Sequence, residues 1–165
     1  MKKRIAIFLG CFILCGAGIV KAEAPVQPKW INSPVNEWVS KARKETKQIS
    51  VADLKAAMDH DEDMIILDVR EPNEYNVAHI PDSINIPRGL LEFSIWSVAP
   101  DKKETIFVYC KTGARAALAT KALNELGYEN AFAISTGADA WMKAGYPVKT
   151  SISDEQFFIV PAVEK

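Results

Sequence analysis

The sequence has few of the residues that build disulfides and metal sites. Its 165 residues include three cysteines and two histidines, and two of the cysteines, Cys11 and Cys15, lie in an apolar stretch near the N-terminus. If that stretch is removed, Cys110 is the one cysteine left, and a single cysteine cannot form an internal disulfide. One cysteine with His60 and His79 has no metal-ligand spacing, so the sequence predicts neither a metal site nor any other cofactor.

A long apolar run of the kind that spans a membrane is also missing. The run from Ile5 to Val20 has sixteen residues, whereas a spanning helix needs about twenty. It follows Met1-Lys2-Lys3-Arg4 and precedes Ala22, which is the arrangement of a secretory signal peptide. We therefore expect cleavage of residues 1–22 and a periplasmic or secreted protein, which would instead be membrane-anchored if the signal were not cleaved.

Basic charge is not in excess, since the formal net charge is −1. Signal cleavage would remove four lysines and arginines and leave the chain more acidic, which argues against a nucleic-acid partner. We also expect no stable membrane insertion after cleavage. One basic cluster is interrupted by Glu45, and we interpret it as a solvated helix face without a function; its members are Lys41, Arg43, Lys44 and Lys47.

Residues 23–48 form a predicted N-terminal extension, and residues 151–165 a predicted C-terminal tail. Ser33 can cap a helix that begins at Pro34, and we interpret Trp38, on its apolar face, as a core residue. The tail contains Phe157-Phe158-Ile159-Val160, which we expect to pack back or to form an interface. The helix and the tail are the candidate contacts for a protein partner.

Strand and helix patterns alternate through the predicted domain, residues 49–150. Buried strands are predicted at 64–69, 106–109 and 131–134, with a brief strand at 84–87. Helices are predicted at 50–58, where Ser50 and Asp53 resemble a capping box, at 114–126, where Gly127 ends the helix, and at 138–143. A helical turn is predicted at 71–75 and an ambiguous helix at 89–96. This alternation predicts an α/β fold whose central, mainly parallel sheet is flanked by helices on both faces. Chemistry in such folds lies at the carboxyl ends of the strands.

Cys110 lies at such a strand end and is followed by a glycine turn and a helix. The strand fixes the cysteine, the loop can direct N–H groups inward, and the positive end of the next helix favours a thiolate. The alternative is an inert, buried cysteine. The pattern favours a reactive thiolate in the loop Cys110-Lys111-Thr112-Gly113-Ala114-Arg115.

Several pieces in order resemble the rhodanese family of sulfurtransferases, over residues 49–148. Before the loop stand Leu67-Asp68-Val69-Arg70, Glu74-Tyr75, His79-Ile80-Pro81 and Ile84-Asn85-Ile86-Pro87. After it stand Leu126-Gly127-Tyr128, Gly137, Trp141 and Gly145-Tyr146-Pro147. The resemblance implies a rhodanese-like domain in an exported, single-domain thiosulfate sulfurtransferase.

In the implied reaction, the Cys110 thiolate takes the outer sulfur of an anionic donor such as thiosulfate and forms a persulfide. A thiol or cyanide then accepts the sulfur. Asp68 is expected to be structural, whereas Arg70 either binds the donor or pairs with Asp68 or Glu74. The loop is expected to hold the donor and the persulfide through Lys111, Thr112, Gly113, Ala114 and Arg115.

Three other functions remain open. A cysteine-dependent phosphatase or arsenate reductase would have a similar loop, but four residues separate Cys110 from Arg115, whereas phosphatases typically need five. A non-catalytic rhodanese-like binding module usually lacks the cysteine. A dithiol oxidoreductase would need a second, resolving cysteine.

Overall fold

A computed structural model describes residues 34–60, 63–151 and 153–158. The predicted signal peptide, the capping residue Ser33 and the end of the tail lie outside these residues. The helices are α1 (Pro34–Glu45), α2 (Val51–Asp59), α3 (Pro72–Val77), α4 (Leu91–Val98), α5 (Ala114–Glu125) and α6 (Gly137–Lys143). The strands are β1 (Lys47–Ile49), β2 (Ile65–Asp68), β3 (Ile84–Asn85), β4 (Ile106–Tyr109), β5 (Ala131–Ile134), β6 (Pro147–Thr150) and β7 (Ser153–Phe158).

Five strands form a parallel sheet in the order β1-β5-β4-β2-β3. The central strand β4 alternates its side chains between two apolar cores. Ile106 and Val108 pack into a core with α4 and α5, whereas Phe107 and Tyr109 pack into a core with α2 and α6. Helices therefore cover both faces of the sheet, which confirms the predicted α/β architecture.

The start of α2 shows how local chemistry sets a helix boundary. The Ser50 hydroxyl accepts a hydrogen bond from the Asp53 N–H, and the Asp53 carboxylate accepts one from the Ser50 N–H. This reciprocal capping box supplies partners for backbone donors that the helix leaves free. The sequence predicted this cap and the helix that follows it.

Helix α1 packs against α5, and Glu45 forms an ion pair of 2.7 Å with Lys121. Ala42 is fully buried in this contact, but Trp38 is 59% exposed. The interpretation of Trp38 as a core residue was therefore wrong. Along the apolar stripe of α1, Val35 is also exposed, Val39 is half-buried and Ala42 is buried, so burial increases toward the C-terminal end of the helix.

The first part of the predicted tail folds back as a strand. β7 pairs antiparallel with β6, and Val148 of β6 lies opposite Phe157. The expectation that Phe157 and Phe158 return to the domain is confirmed at the level of backbone pairing. Among the described residues, no helix has both the length and the apolar character needed to cross a membrane.

His79 gives the fold a pH-dependent stability. Its imidazole is buried and stacked on Tyr75, with ring centroids 3.9 Å apart, and Nδ1 lies 2.9 Å from the Tyr75 carbonyl oxygen. Burial lowers the pKa of His79 below the ordinary 6.5, and the hydrogen bond to Tyr75 only partly opposes this. As the pH falls, His79 is therefore protonated in the unfolded chain before it is protonated in the folded protein. The free energy of unfolding consequently decreases as the pH drops below about 6.5.

We expect urea midpoints to fall between pH 7.5 and pH 5, and the fall to be smaller in His79→Gln. The carboxyl of Glu74 has a lowered pKa and loses its contribution only below the ordinary value of 4.5, so it does not act in this window. His60→Gln, which removes an exposed histidine, is the matched control and should respond like the parent. An equal fall in His79→Gln and the parent would refute this assignment.

Candidate active site

Cys110 follows β4 directly and is 1% exposed. The backbone N–H of Gly113 donates a hydrogen bond to its Sγ over 3.2 Å. Gly113 is also the residue from which α5 starts, so the sulfur lies at the positive end of a twelve-residue helix. A backbone donor and a helix N-terminus both stabilise negative charge on this sulfur.

Two glycines with positive φ let the loop pack tightly. A Cβ on Gly113 (φ 87°) would lie 2.1 Å from the carbonyl oxygen of Ser135, and one on Gly137 (φ 66°) would lie 2.3 Å from that of Cys110. Only glycine fits such positions, because any side chain would overlap a backbone oxygen. The sequence predicted this need at Gly113 but not the contact with Ser135.

The first turn of α6 holds the beginning of the loop. The N–H of Ala138 donates to the Cys110 carbonyl over 2.8 Å, and the N–H of Asp139 donates to the Lys111 carbonyl over 3.1 Å. These bonds satisfy the carbonyls of Cys110 and Lys111. They join the loop after β4 to the helix after β5 at the carboxyl edge of the sheet.

Arg115 closes the loop and is held by Glu74 of α3. Its guanidinium forms two hydrogen bonds with the carboxylate, at 2.7 and 2.9 Å. These bonds raise the pKa of Arg115 and lower that of Glu74. The predicted anion-binding charge of Arg115 is thus already paired, and the pair fixes the end of the loop with bidentate geometry.

Arg70 and Asp68 form a buried ion pair beside the loop. Arg70 is 5% and Asp68 0% exposed, and Nη2 of Arg70 lies 2.6 Å from Oδ2 of Asp68 and 2.8 Å from the Ala78 carbonyl. Burial alone would lower the pKa of Arg70, but hydrogen bonds and the charge of Asp68 raise it. Arg70 thus makes the structural pair with Asp68 that the sequence offered as one of its two roles, and its role in donor binding stays a prediction.

A cleft of about 400 Å³ opens next to the loop. Lys111 is exposed there, while the guanidinium of Arg70 forms part of its wall. Thr112 is exposed and Ala114 half-buried. No cluster of residues suited to a metal ion occurs in the part of the chain that the structure describes. The remaining lining residues are Asn73, Glu74, Val77, Asp139 and Met142.

This arrangement agrees with a family match over the same region. The model of the Rhodanese-like domain matches residues 50–144, from the start of α2 to the end of α6. The chain belongs to the rhodanese-like domain family. Within this family, its single described cysteine occupies the loop between β4 and α5.

Several relatives of this chain are named as sulfurtransferases. The thiosulfate:glutathione sulfurtransferase of Saccharomyces cerevisiae is 34% identical over 97 residues, covering 52% of this chain and 70% of the yeast protein. The thiosulfate sulfurtransferase PspE of Escherichia coli is 40% identical over 62 residues, covering 38% of this chain and 60% of PspE. In several further relatives, the match covers half or less of a longer protein. These relatives support sulfur transfer in general.

A solved structure with the same fold is described differently. A Rhodopseudomonas palustris protein of unknown function, described as a possible tyrosine phosphatase, superposes with a TM-score of 0.66 and is 28% identical. The superposition covers 74% of this chain and 99% of that protein. The rhodanese-like fold is therefore shared, and the chemistry has to be argued from the loop.

The rhodanese-like site includes one residue that sequence reasoning missed. Arg43 of α1 donates from Nη2 to the Thr112 carbonyl over 3.3 Å and to the Ser135 carbonyl over 3.5 Å. Arg43 is exposed, as expected for the basic cluster, but it also contacts the backbone of the loop. Lys47 is exposed too, and it donates to the Glu129 carbonyl over 2.9 Å. No local pattern predicts either bond, because each spans more than 65 residues of sequence.

Proposed function

We propose that this protein is a sulfurtransferase that carries a sulfane sulfur as a persulfide on Cys110. The hydrogen bond from the Gly113 N–H to the Cys110 Sγ carries the proposal, because it shows a backbone donor directed at the sulfur. The helix N-terminus of α5 adds positive potential at the same atom. A thiolate and a persulfide both bear negative charge, so the same groups stabilise the nucleophile and the intermediate.

The transfer has two balanced steps. The Cys110 thiolate attacks the outer sulfur of thiosulfate, a new S–S bond forms, and the S–S bond of thiosulfate breaks as sulfite leaves with the electron pair. Cyanide or a thiolate then attacks the outer sulfur of the persulfide, and the Cys110 thiolate leaves. No external oxidant or reductant is needed, and the enzyme returns to its starting state.

The surroundings of the loop favour a small anionic donor. Cys110 is 1% exposed, so only a donor whose reacting sulfur lies at the end of a narrow molecule can reach it. Lys111 is the exposed cation at the cleft and attracts an anion. Arg115 binds Glu74, so we assign it to holding the loop and the persulfide in place rather than to capturing the donor.

The proposal also includes an exported protein with three segments after its signal peptide. Cleavage of residues 1–22 would deliver the protein to the periplasm or the exterior. The remaining chain then consists of the extension 23–48, the rhodanese-like domain 49–150 and the tail 151–165. A small diffusible donor and acceptor suit such a location, because no protein partner has to be exported with the enzyme.

Intact-mass measurement after incubation with thiosulfate tests the proposal. We expect the parent protein to gain one sulfur atom, to lose it to cyanide, and to release thiocyanate with turnover. Phosphorylated mimics offered in parallel should leave no adduct and yield no phosphate, because the loop has one residue fewer than phosphatases require. Failure to take up sulfur from thiosulfate, mercaptopyruvate and polysulfide would reject the proposal in favour of a binding module.

A further inference from the structure

The peptide unit between Thr112 and Gly113 has a different partner at each end. Its N–H, on Gly113, donates to the Cys110 Sγ over 3.2 Å. Its C=O, on Thr112, accepts from the Arg43 guanidinium over 3.3 Å. Because N–H and C=O of a trans peptide point in opposite directions, the bond to Arg43 fixes the plane in the orientation that directs the N–H at the sulfur.

Arg43 also joins the loop to its neighbouring strand end. The same Nη2 donates to the carbonyl of Ser135, the oxygen against which Gly113 packs. One cation thus contacts both the loop, at Thr112, and the end of β5, at Ser135. A charged donor polarises the carbonyl that it contacts, which makes the opposite N–H a stronger hydrogen-bond donor.

The helix that presents Arg43 lies outside the part of the chain that the family model matches. That match begins at residue 50, whereas α1 ends at Glu45. The helix is held in place independently of Arg43, since α1 packs against α5, Ala42 is fully buried, and Glu45 pairs with Lys121. Removal of the guanidinium should therefore leave α1 in its place.

We propose that Arg43 is a positioning residue for the active loop, and that the N-terminal helix thereby tunes the reactivity of Cys110. The inference rests on the proposed function, since it concerns the same nucleophile. Arg43 acts through the Thr112–Gly113 peptide and touches no reacting atom. Its positive charge and the polarised peptide both favour the thiolate and the persulfide over the neutral thiol.

Other charged groups surround the loop and stay unchanged in the test. Lys111 and Arg115 belong to the loop, and Arg115 is paired with Glu74 of α3. Asp139 lies at the start of α6, and the pair Asp68 and Arg70 lies at the carboxyl end of β2. With these groups constant, any shift in the pH response of Cys110 between the parent and an Arg43 variant reports on Arg43.

The experiment compares Arg43→Met and Arg43→Lys with the parent in the mature protein. The rate of Cys110 alkylation by iodoacetamide is followed across pH, together with the kcat and KM for thiosulfate. We expect the midpoint of the alkylation profile to rise by about half a pH unit in Arg43→Met, and kcat to fall about three- to tenfold. Arg43→Lys keeps the charge and one donor, so it should recover part of both losses.

Lys44→Met is the matched control, because it removes an exposed cation from the next position of the same helix. It should leave the alkylation profile and kcat as in the parent. An unshifted profile in Arg43→Met, including one accompanied by a lower melting temperature, would overturn the inference. A parent that is never alkylated would also overturn it.

Failure of the two proposals can be told apart. Alkylation needs no sulfur donor, so the effect of Arg43 on the alkylation profile can be measured even if thiosulfate gives no adduct. In that case the proposed function is rejected while the positioning of the loop is still measured. Conversely, sulfur transfer with an unshifted profile in Arg43→Met would retain the function and reject the role of Arg43.

Discussion

Cys110→Ser is expected to abolish sulfur transfer, with thiocyanate release falling at least about a thousandfold. A serine hydroxyl can take the place of the sulfur beside the Gly113 N–H, so the loop should keep its shape. A hydroxyl stays protonated at neutral pH, however, and a weak nucleophile cannot displace sulfite from thiosulfate. Thiocyanate formation and intact mass, measured on the parent and the variant under the same conditions, check this result.

The fold of the variant has to be shown to be intact. Circular dichroism and the urea midpoint should match the parent closely, because Cys110 contributes little beyond its packing at the end of β4. A folded Cys110→Ser protein that still takes up sulfur would contradict the persulfide route, since Cys110 is the one cysteine among the described residues. Sulfur uptake in a sample that retains residues 1–22 would first be traced to Cys11 or Cys15 by peptide mapping.

Asp68→Leu is expected to destabilise the fold by about 3–5 kcal/mol, because it leaves the guanidinium of Arg70 buried without its counter-ion. Asp68 is fully buried, and its carboxylate accepts from both the side chain and the backbone N–H of Arg70. The free energy of unfolding in urea, compared with the parent at neutral pH, measures the loss.

The double variant Asp68→Leu with Arg70→Met separates the cost of an unpaired charge from the value of the pair. Removing both charges should cost clearly less than the sum of the two single changes, because no ion is then left in the core. Arg70→Met also removes the hydrogen bond to the Ala78 carbonyl, so a residual loss is expected. Additive losses would show that the two side chains are not coupled and would reject this account.

The sequence was sufficient to predict the elements whose signals are local. The continuous apolar run of residues 106–109 predicted β4, the capping box of Ser50 and Asp53 predicted α2, and Gly127 predicted the end of α5, where its φ is 94°. The position of Cys110 at the carboxyl end of a strand followed from the same run. These features depend on neighbours within a few residues, so the chain specifies them without knowledge of the fold.

The parts that were missed depend on contacts between distant residues. β1 has three residues, too few for a periodic signal, and it becomes a strand because it pairs with β5. The bidentate pairing of Arg115 with Glu74 bridges 41 positions. Trp38 has the helical spacing of a buried residue but is exposed in the folded domain. In each case the tertiary neighbour, rather than the local pattern, decides the outcome.

The edge strand β1 has a consequence for folding during synthesis. Lys47 lies opposite Phe132 in the sheet. The strand β1, which is synthesised early, therefore cannot pair until β5 has been synthesised. The residues just after β5 include Ser135, whose carbonyl packs against Gly113, and the first turn of α6, which donates hydrogen bonds to the loop. During synthesis, the loop around Cys110 therefore cannot adopt its active conformation until most of the domain has left the ribosome. A truncated chain would carry the Cys110 thiol without the backbone groups that surround it in the folded protein.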